Sequence, residues 1–406
     1  MSGPSRFRRR VSSSPTDFCR GKPASPSAWR WPSRAFTPMR RGPSWTRLCA
    51  SDLPQRSVSL RTAGFRPARP PFHRPVLRTG PATSSLMRSR HAGAPPMFVT
   101  RCEKWLAGIA AIAIALSAVL LVRKAVSVES GGLVFLAICG ALMLAIGLVY
   151  RITGRSLAIG TVAIGIALLL VVTAALATLN LLLLPLSGGT HDDALVRMDA
   201  LIGFDWREAM EFAARYPLAC EILRYVYQST SIQLVVLLLV LGFSGRQAEF
   251  DRLLLCYTFA AIGVVAWWTL WPSLGTMAYY ELPQAVVAAV NPVVDPAYGA
   301  LLRKVSEVGV TVIDPVRTLG LVAFPSFHTV LALLAIVSAA SVRWLFPPML
   351  VLNLLMLPAV VIHGGHHLFD LIGGAVAFLL AMALTDAVLL RGAAPRARRE
   401  LAARVS

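Results

Sequence analysis

The chain has 406 residues, of which 56% are hydrophobic, and it carries a formal net charge of +20 at neutral pH. Its mean hydropathy of +0.63 is too high for a soluble globular domain and is typical of a membrane protein. The charge does not indicate nucleic-acid binding. Residues 1–100 hold 18 arginines and one lysine against two aspartates, a net charge of +17 that leaves only about +3 for the rest.

Residues 1–96 are rich in arginine, proline and serine and have no sustained apolar period. Such a composition cannot bury enough apolar surface to offset its ordering entropy, so we expect a disordered tail. It contains no apolar stretch of the kind that a secretory signal peptide needs. Three interpretations stay open: a targeting segment, a polybasic contact with anionic lipid, or a translation start at Met87 or Met97.

Eight apolar segments follow, each close to the roughly 20 residues that a transmembrane helix needs. They are residues 105–122, 131–150, 157–185, 221–242, 252–272, 326–345, 347–363 and 367–390. The sequence therefore predicts an all-α polytopic membrane bundle of about eight transmembrane helices. Three N-terminal helices would occupy residues 97–186 and a core residues 187–390, followed by a basic cytoplasmic tail over residues 391–406.

The basic residues beside the predicted spans indicate which side of the membrane each loop occupies. Most of these basic residues lie on one side if the N-terminus is cytoplasmic, but Arg123 and Lys124 would then lie on the other side. The pattern predicts a protein of the cell (inner) membrane with both termini inside. Two long segments, 187–219 and 273–324, would then lie on the outer (periplasmic) face, the first with the mixed spacing of an interfacial amphipathic helix.

Four histidines lie at the ends of predicted spans, where ionisable side chains are costly and therefore mark candidate sites: His328, His363, His366 and His367. His328 follows Pro325 and Ser326, which suit a helix start, and a helix N-terminus offers free N–H groups to an anion. His366 precedes Asp370 by four residues, so both lie on one helix face. A carboxylate there can hold Nδ1–H and leave Nε2 free to attack.

His328 and His366 are 38 residues apart, about the length of one helix inward, a turn and one helix back. Both should therefore return to the same membrane face. His366 as nucleophile and His328 as acid would suffice for phosphoryl transfer through a phosphohistidine, without metal or other cofactor. The six cysteines form no C-x-x-C pair, so no metal site is predicted from them. Candidates for binding the phosphate oxygens are Arg303, Lys304 and Arg317.

The stretch Pro325–His328 resembles the P-S-G-H motif of the type 2 phosphatidic acid phosphatase superfamily, and His366 to Asp370 resembles its H-x-x-x-D motif, with Gly374 in step. The run HHLFDLIGG is most similar to the inositol phosphorylceramide synthase branch. The resemblance covers about residues 190–390.

This resemblance implies a six-helix phosphatase-type core that acts at the membrane surface on lipid phosphates or phospholipids, with no nucleic-acid partner. Either water or, as in an inositolphosphotransferase, an alcohol would accept the phosphoryl group or phospho-headgroup. By motif, His366 would be the nucleophile, Asp370 its orienting partner, His328 the acid and Ser326 a phosphate contact.

Two features depart from the family pattern. The Ser-Arg pair expected seven and six residues before the nucleophile is replaced by Ala359 and Val360, so one phosphate-binding arginine is missing. No clean K-x6-R-P motif precedes His328 either. The branch containing inositol phosphorylceramide synthase resembles the family pattern less strictly at these positions, so the departures do not exclude activity.

Two other classes of protein fit parts of the pattern. A haem protein could use the histidines at the span ends as axial ligands, but Asp370 would then have no clear task. A transporter or an inactive membrane protein could retain the fold without the chemistry.

Overall fold

The computed structural model describes residues 99–186, 188–315 and 320–405, with side chains as far as Arg391. The chain divides into two units, Met1–Met87 and Arg88–Ser406, and all the described residues belong to the second. The tail expected over residues 1–96 therefore lies outside the described residues.

The described residues form fourteen helices and two very short strands, which confirms the all-α class. In chain order the elements are α1 (Arg101–Lys124), β1 (Ser127–Val128), α2 (Ser130–Ile152), α3 (Leu157–Leu182), α4 (Asp192–Leu201), α5 (Trp206–Ala214), α6 (Pro217–Gln228), α7 (Thr230–Phe243), α8 (Gln247–Leu270), α9 (Thr276–Tyr279), α10 (Gln284–Val290), α11 (Pro296–Val308), β2 (Val312–Ile313), α12 (Phe327–Ala339), α13 (Phe346–His363) and α14 (Leu368–Val405).

Within the described ranges, six helices are long and apolar enough to cross a membrane: α1, α2, α3, α8, α13 and the Leu368–Arg391 part of α14. The predicted span over residues 221–242 is instead two helices, α6 and α7, bent by 46°. The bend coincides with Ser229 and Thr230, whose hydroxyls donate to the carbonyl oxygens of Val226 and Tyr227. Such side-chain bonds to the preceding turn are a known cause of helix bending.

The predicted span over residues 326–345 is shorter than expected. Its helix, α12, has 13 residues and ends at Ala339, and turns occupy the residues up to Leu345. The eight apolar segments of the sequence thus become six long helices, one bent pair and one short helix.

The largest buried apolar cluster joins α1, α3, α7, α8, α12 and α14 around side chains such as Leu106, Val172, Leu255 and Val330. Around it, α1 and α2 leave large apolar side chains such as Ile114 and Phe135 exposed. An apolar outer surface of this kind suits contact with lipid.

The N-terminal helices are also connected to the rest of the bundle near the start of α12. β1, in the loop between α1 and α2, pairs in parallel with β2, with Ser127 opposite Val312. The ammonium group of Lys124 also donates to the carbonyl oxygen of Leu184 at 2.6 Å. The N-terminal helices are therefore joined by backbone bonds to the segment that leads into α12.

Candidate active site

The N-terminus of α12 is held by Ser326. Its side-chain oxygen accepts the N–H of Thr329 at 3.4 Å, so Ser326 is the N-cap, and Pro325 lies one residue before the cap rather than in the first helical turn. The N–H of Ser326 donates to the carbonyl oxygen of Asp370 at 3.0 Å. This bond joins the start of α12 directly to the first turn of α14.

A glycine allows this close approach. A Cβ atom added to Gly374 would lie 2.4 Å from the carbonyl oxygen of Ser326 and 2.8 Å from Cβ of Thr329. Any side chain at this position would push α14 away from α12. Gly374 therefore permits the close contact between α12 and α14.

The structure brings together the three residues predicted to be catalytic. The ring centroids of His328 and His366 are 6.4 Å apart, and their planes meet at 67°. Nδ1 of His366 lies 3.0 Å from Oδ2 of Asp370, and both side chains are buried. Because Nδ1 is engaged by the carboxylate, Nε2 is the nitrogen left for chemistry.

One wall of the site comes from a residue that the motifs did not indicate. The ring of Tyr227, on α6, stacks on His328 with centroids 4.3 Å apart and planes at 22°. A Cβ added to Gly364 would lie 3.0 Å from Cε2 of Tyr227 and 2.8 Å from Cδ2 of His366, so the tyrosine lies close to both histidines.

Tyr227 also packs in one buried cluster with Ala359 and Val360, the positions where the family pattern has its Ser-Arg pair. Both positions are fully buried and apolar here. Tyr227 therefore shares a buried cluster with the positions at which the arginine of the family motif is missing.

His367 lies in a separate group of ionisable residues. Its Nδ1 is 3.5 Å from Oδ2 of Asp199 and its Nε2 is 3.5 Å from Oδ1 of Asp192, and all three side chains are buried. Burial alone would lower the pKa of His367, but the two carboxylates outweigh burial and raise the pKa to about 9. Although burial acts the other way, the neighbouring His367 ring and a hydrogen bond from Ser273 hold the pKa of Asp192 below its usual value.

The cations predicted to bind phosphate have different surroundings. The guanidinium of Arg303 donates to the carbonyl oxygen of Ala278, which joins α11 to α9. Lys304 is exposed, and Arg317 lies outside the described residues. On α6, the half-buried Arg224 lies three residues before Tyr227, and His363, at the end of α13, is buried.

Family comparison agrees with the motifs. Residues 193–384 match the family model of the PAP2 superfamily. The PAP2 match covers just under half of the chain and includes Tyr227, His328, His366 and Asp370, whereas α1–α3 lie outside it. No curated protein and no solved structure gives a significant match to the chain. The match does not distinguish branches of the PAP2 superfamily, so the inositol phosphorylceramide synthase branch stays a prediction.

An apolar cavity of about 590 Å³ lies within the region that the PAP2 model matches. It lies between α5, α6, α13 and α14, and its lining includes Phe212, Leu223, Pro358, Leu368 and Leu371. Leu368 and Leu371 lie at the start of α14, the helix that also carries Asp370.

Proposed function

We propose that this protein transfers phosphoryl groups from lipid phosphates by way of a phosphohistidine at His366. The observation that carries the proposal is the arrangement of two imidazole rings 6.4 Å apart with a carboxylate 3.0 Å behind one of them. The PAP2 match supports phosphatase-type chemistry on lipid phosphates for this region of the chain.

In the first step, Nε2 of His366 attacks phosphorus, so an N–P bond forms while the bond from phosphorus to the leaving oxygen breaks. Asp370 accepts the hydrogen bond from Nδ1–H and stabilises the positive charge that the ring gains. His328 gives its proton to the departing oxygen. The negative charge of the bound phosphate favours the protonated form of His328 before this step.

In the second step, His328, now neutral, takes a proton from the acceptor hydroxyl. The acceptor oxygen attacks phosphorus, the N–P bond breaks, and His366 returns to its initial state. With water as the acceptor the protein is a phosphatase, and with an alcohol it is a transferase. The resemblance of HHLFDLIGG to the inositol phosphorylceramide synthase branch supports transfer of a phospho-headgroup.

A lipid substrate is supported by the apolar cavity. A hydrocarbon chain in a cavity of about 590 Å³ would leave water and lie against Leu368 and Leu371, at the start of the helix that carries Asp370. A soluble phosphate ester has no group to fill this space.

Positive charge around the phosphate is the remaining requirement. We assign part of it to Arg224, because it lies three residues before Tyr227 on α6 and therefore on the same face of that helix. Arg303, Lys304 and Arg317 stay proposed contacts, as does Ser326. From the charge pattern we further propose that the site faces the periplasmic side of the inner membrane.

The test is a panel of lipid phosphates and phospholipids offered to the purified full chain in detergent, with phosphate release and product lipids measured. His366→Ala should abolish turnover, a loss of about 10⁴-fold or more. His191→Ala is the matched control, because His191 stacks on Trp271 outside the histidine pair, and it should retain activity. Undiminished turnover by His366→Ala would refute the proposal.

A chelator added to the same assay examines the metal-free part of the mechanism. Activity should persist when divalent ions are sequestered, since both proton transfer and nucleophilic attack are assigned to side chains. Complete and reversible loss of activity would contradict the mechanism proposed above.

A further inference from the structure

Asp199 caps a helix to which it does not belong. From α4, its two carboxylate oxygens accept the N–H groups of Leu368 at 3.0 Å and Phe369 at 2.9 Å, the first two residues of α14. A helix is usually capped by the residue that immediately precedes it. Here the N-terminus of α14 is held by the side chain of a distant element.

Asp192, seven residues earlier on α4, binds the loop between α8 and α9. Its carboxylate accepts the hydroxyl of Ser273 at 2.7 Å and the N–H groups of Leu274 and Gly275 at 3.2 and 3.0 Å. The next residue, Thr276, donates its N–H to the carbonyl oxygen of Gly365 at 2.8 Å. The loop that Asp192 binds is therefore itself bonded to the turn that carries His366.

His367 lies between the two carboxylates, at 3.5 Å from each. Burying three ionisable side chains is costly unless they are paired with one another. None of the three has a part in the phosphorus chemistry proposed above. Their pairing therefore calls for a role other than direct catalysis.

The backbone of His367 connects this group to the nucleophile. Its N–H donates to Oδ2 of Asp370 at 2.9 Å, and the same oxygen lies 3.0 Å from Nδ1 of His366. Any shift of His367 thus moves the oxygen that orients the attacking ring. Since a misplacement of about 1 Å can cost about 10²-fold in rate, anchoring this turn has a direct kinetic consequence.

We propose that Asp192, Asp199 and His367 form a clamp by which α4 positions His366 for attack. The three are positioning residues, and the proposal rests on the nucleophilic role proposed for His366. The groups that face the ring of His367 are Asp192 and Asp199 from α4 and Asp370 from α14, with the ring of Tyr279 from α9 at 6.4 Å. With these partners the clamp needs a protonated His367.

The test compares Asp199→Asn and Asp192→Asn with Asp193→Asn, using a short-chain phosphatidic acid in detergent micelles as the probe. Asp193 is the matched control, because it is an exposed carboxylate on the same helix and bonds Tyr279 instead of α14. Both clamp variants should lose about 10- to 10²-fold in kcat with KM changed less than about twofold. The control should stay within about twofold of the wild type.

Two further readouts separate positioning from general stability. The alkaline limb of the kcat profile should move to lower pH in Asp199→Asn, because His367 loses a carboxylate partner. Amide hydrogen exchange should rise in a peptide covering residues 366–371 and stay unchanged in α8. If Asp199→Asn does not fold, Asp192→Asn still carries the test, since it keeps the cap on Leu368 and Phe369.

Unchanged kcat and an unmoved alkaline limb in folded Asp199→Asn would overturn the clamp, as would exchange that rises equally throughout the chain. His366→Ala distinguishes this failure from failure of the proposed function. An inactive His366→Ala together with a fully active Asp199→Asn would reject the clamp and leave the proposed function standing. An active His366→Ala removes both proposals.

Discussion

The ring of Tyr227 lies nearly parallel to that of His328, with 4.3 Å between their centroids. A residue of the bent pair formed by α6 and α7 therefore supports the histidine at the start of α12. The support is aromatic, not hydrogen-bonded, so the ring of Tyr227 should matter more than its hydroxyl.

Tyr227→Ala should lower kcat by about 10-fold, because an aromatic pair contributes about 0.5–1.5 kcal/mol beyond its buried area and about 1.4 kcal/mol is tenfold in rate. Tyr227→Phe keeps the stacked ring and should stay within about twofold of the wild type. Steady-state kinetics on the same lipid probe would measure both. Equal losses in the two variants would show that the hydroxyl, and not the stacking, matters.

Gly374→Ala should destabilise the contact between α12 and α14, since its Cβ would lie 2.4 Å from the backbone oxygen of Ser326. Overpacking of this kind costs about 1–3 kcal/mol, and activity should fall with it because Ser326 and Asp370 separate. Gly263→Ala in α8 is the control, since a Cβ there meets nothing within 4 Å. Thermal unfolding in detergent that is identical for the two variants would contradict the close packing at Gly374.

Arg224→Gln should reduce kcat/KM by about 10²-fold if its guanidinium stabilises the phosphate oxygens. Arg224→Lys should recover part of the loss, because the charge remains while the planar, two-pronged geometry of the guanidinium does not. Arg215→Gln, an exposed arginine that follows α5, serves as the control. Arg224→Gln activity equal to that of the control would assign the phosphate charge elsewhere, with Arg303, Lys304 and Arg317 next to be varied.

The stability of the protein should depend on pH through His367. Its pKa is raised from an ordinary value of 6.5 to about 9 in the folded state, so the protonated form is bound more tightly when folded. This contribution is fully present below about pH 6.5 and is lost as the pH rises through about 9. The unfolding temperature of the wild type should fall across that window, and that of Asp199→Asn should fall less. A wild-type curve that is flat from pH 6.5 to 9 would show that His367 is not charged in the fold.

Local sequence patterns were enough to predict the apolar helices and the meeting of His328 with His366. A spacing of 38 residues fits one helix, a turn and a second helix, and no other element has to be known. The spacing of His366 and Asp370 also predicted that the two would meet, but the expected reason was wrong. α14 begins at Leu368, so His366 lies in the turn before the helix and does not share a helix face with Asp370.

The remaining features depend on contacts between distant segments. Tyr227 belongs to no motif, and only the packing of α6 against α12 and α13 shows that it faces His328. The cap that Asp199 places on α14 crosses about 170 residues of chain. The bend at Ser229 was missed because hydropathy alone does not register side-chain bonds to the backbone.

The central claim is tested most directly by trapping the covalent intermediate. The wild type is incubated briefly with a lipid phosphate labelled in its phosphoryl group, quenched with alkali, and analysed for acid-labile, base-stable label on protein. We expect label on His366 in the wild type and none in His366→Ala. Label that persists in His366→Ala, or product formed by the wild type with no labelled histidine at any time point, would contradict the account.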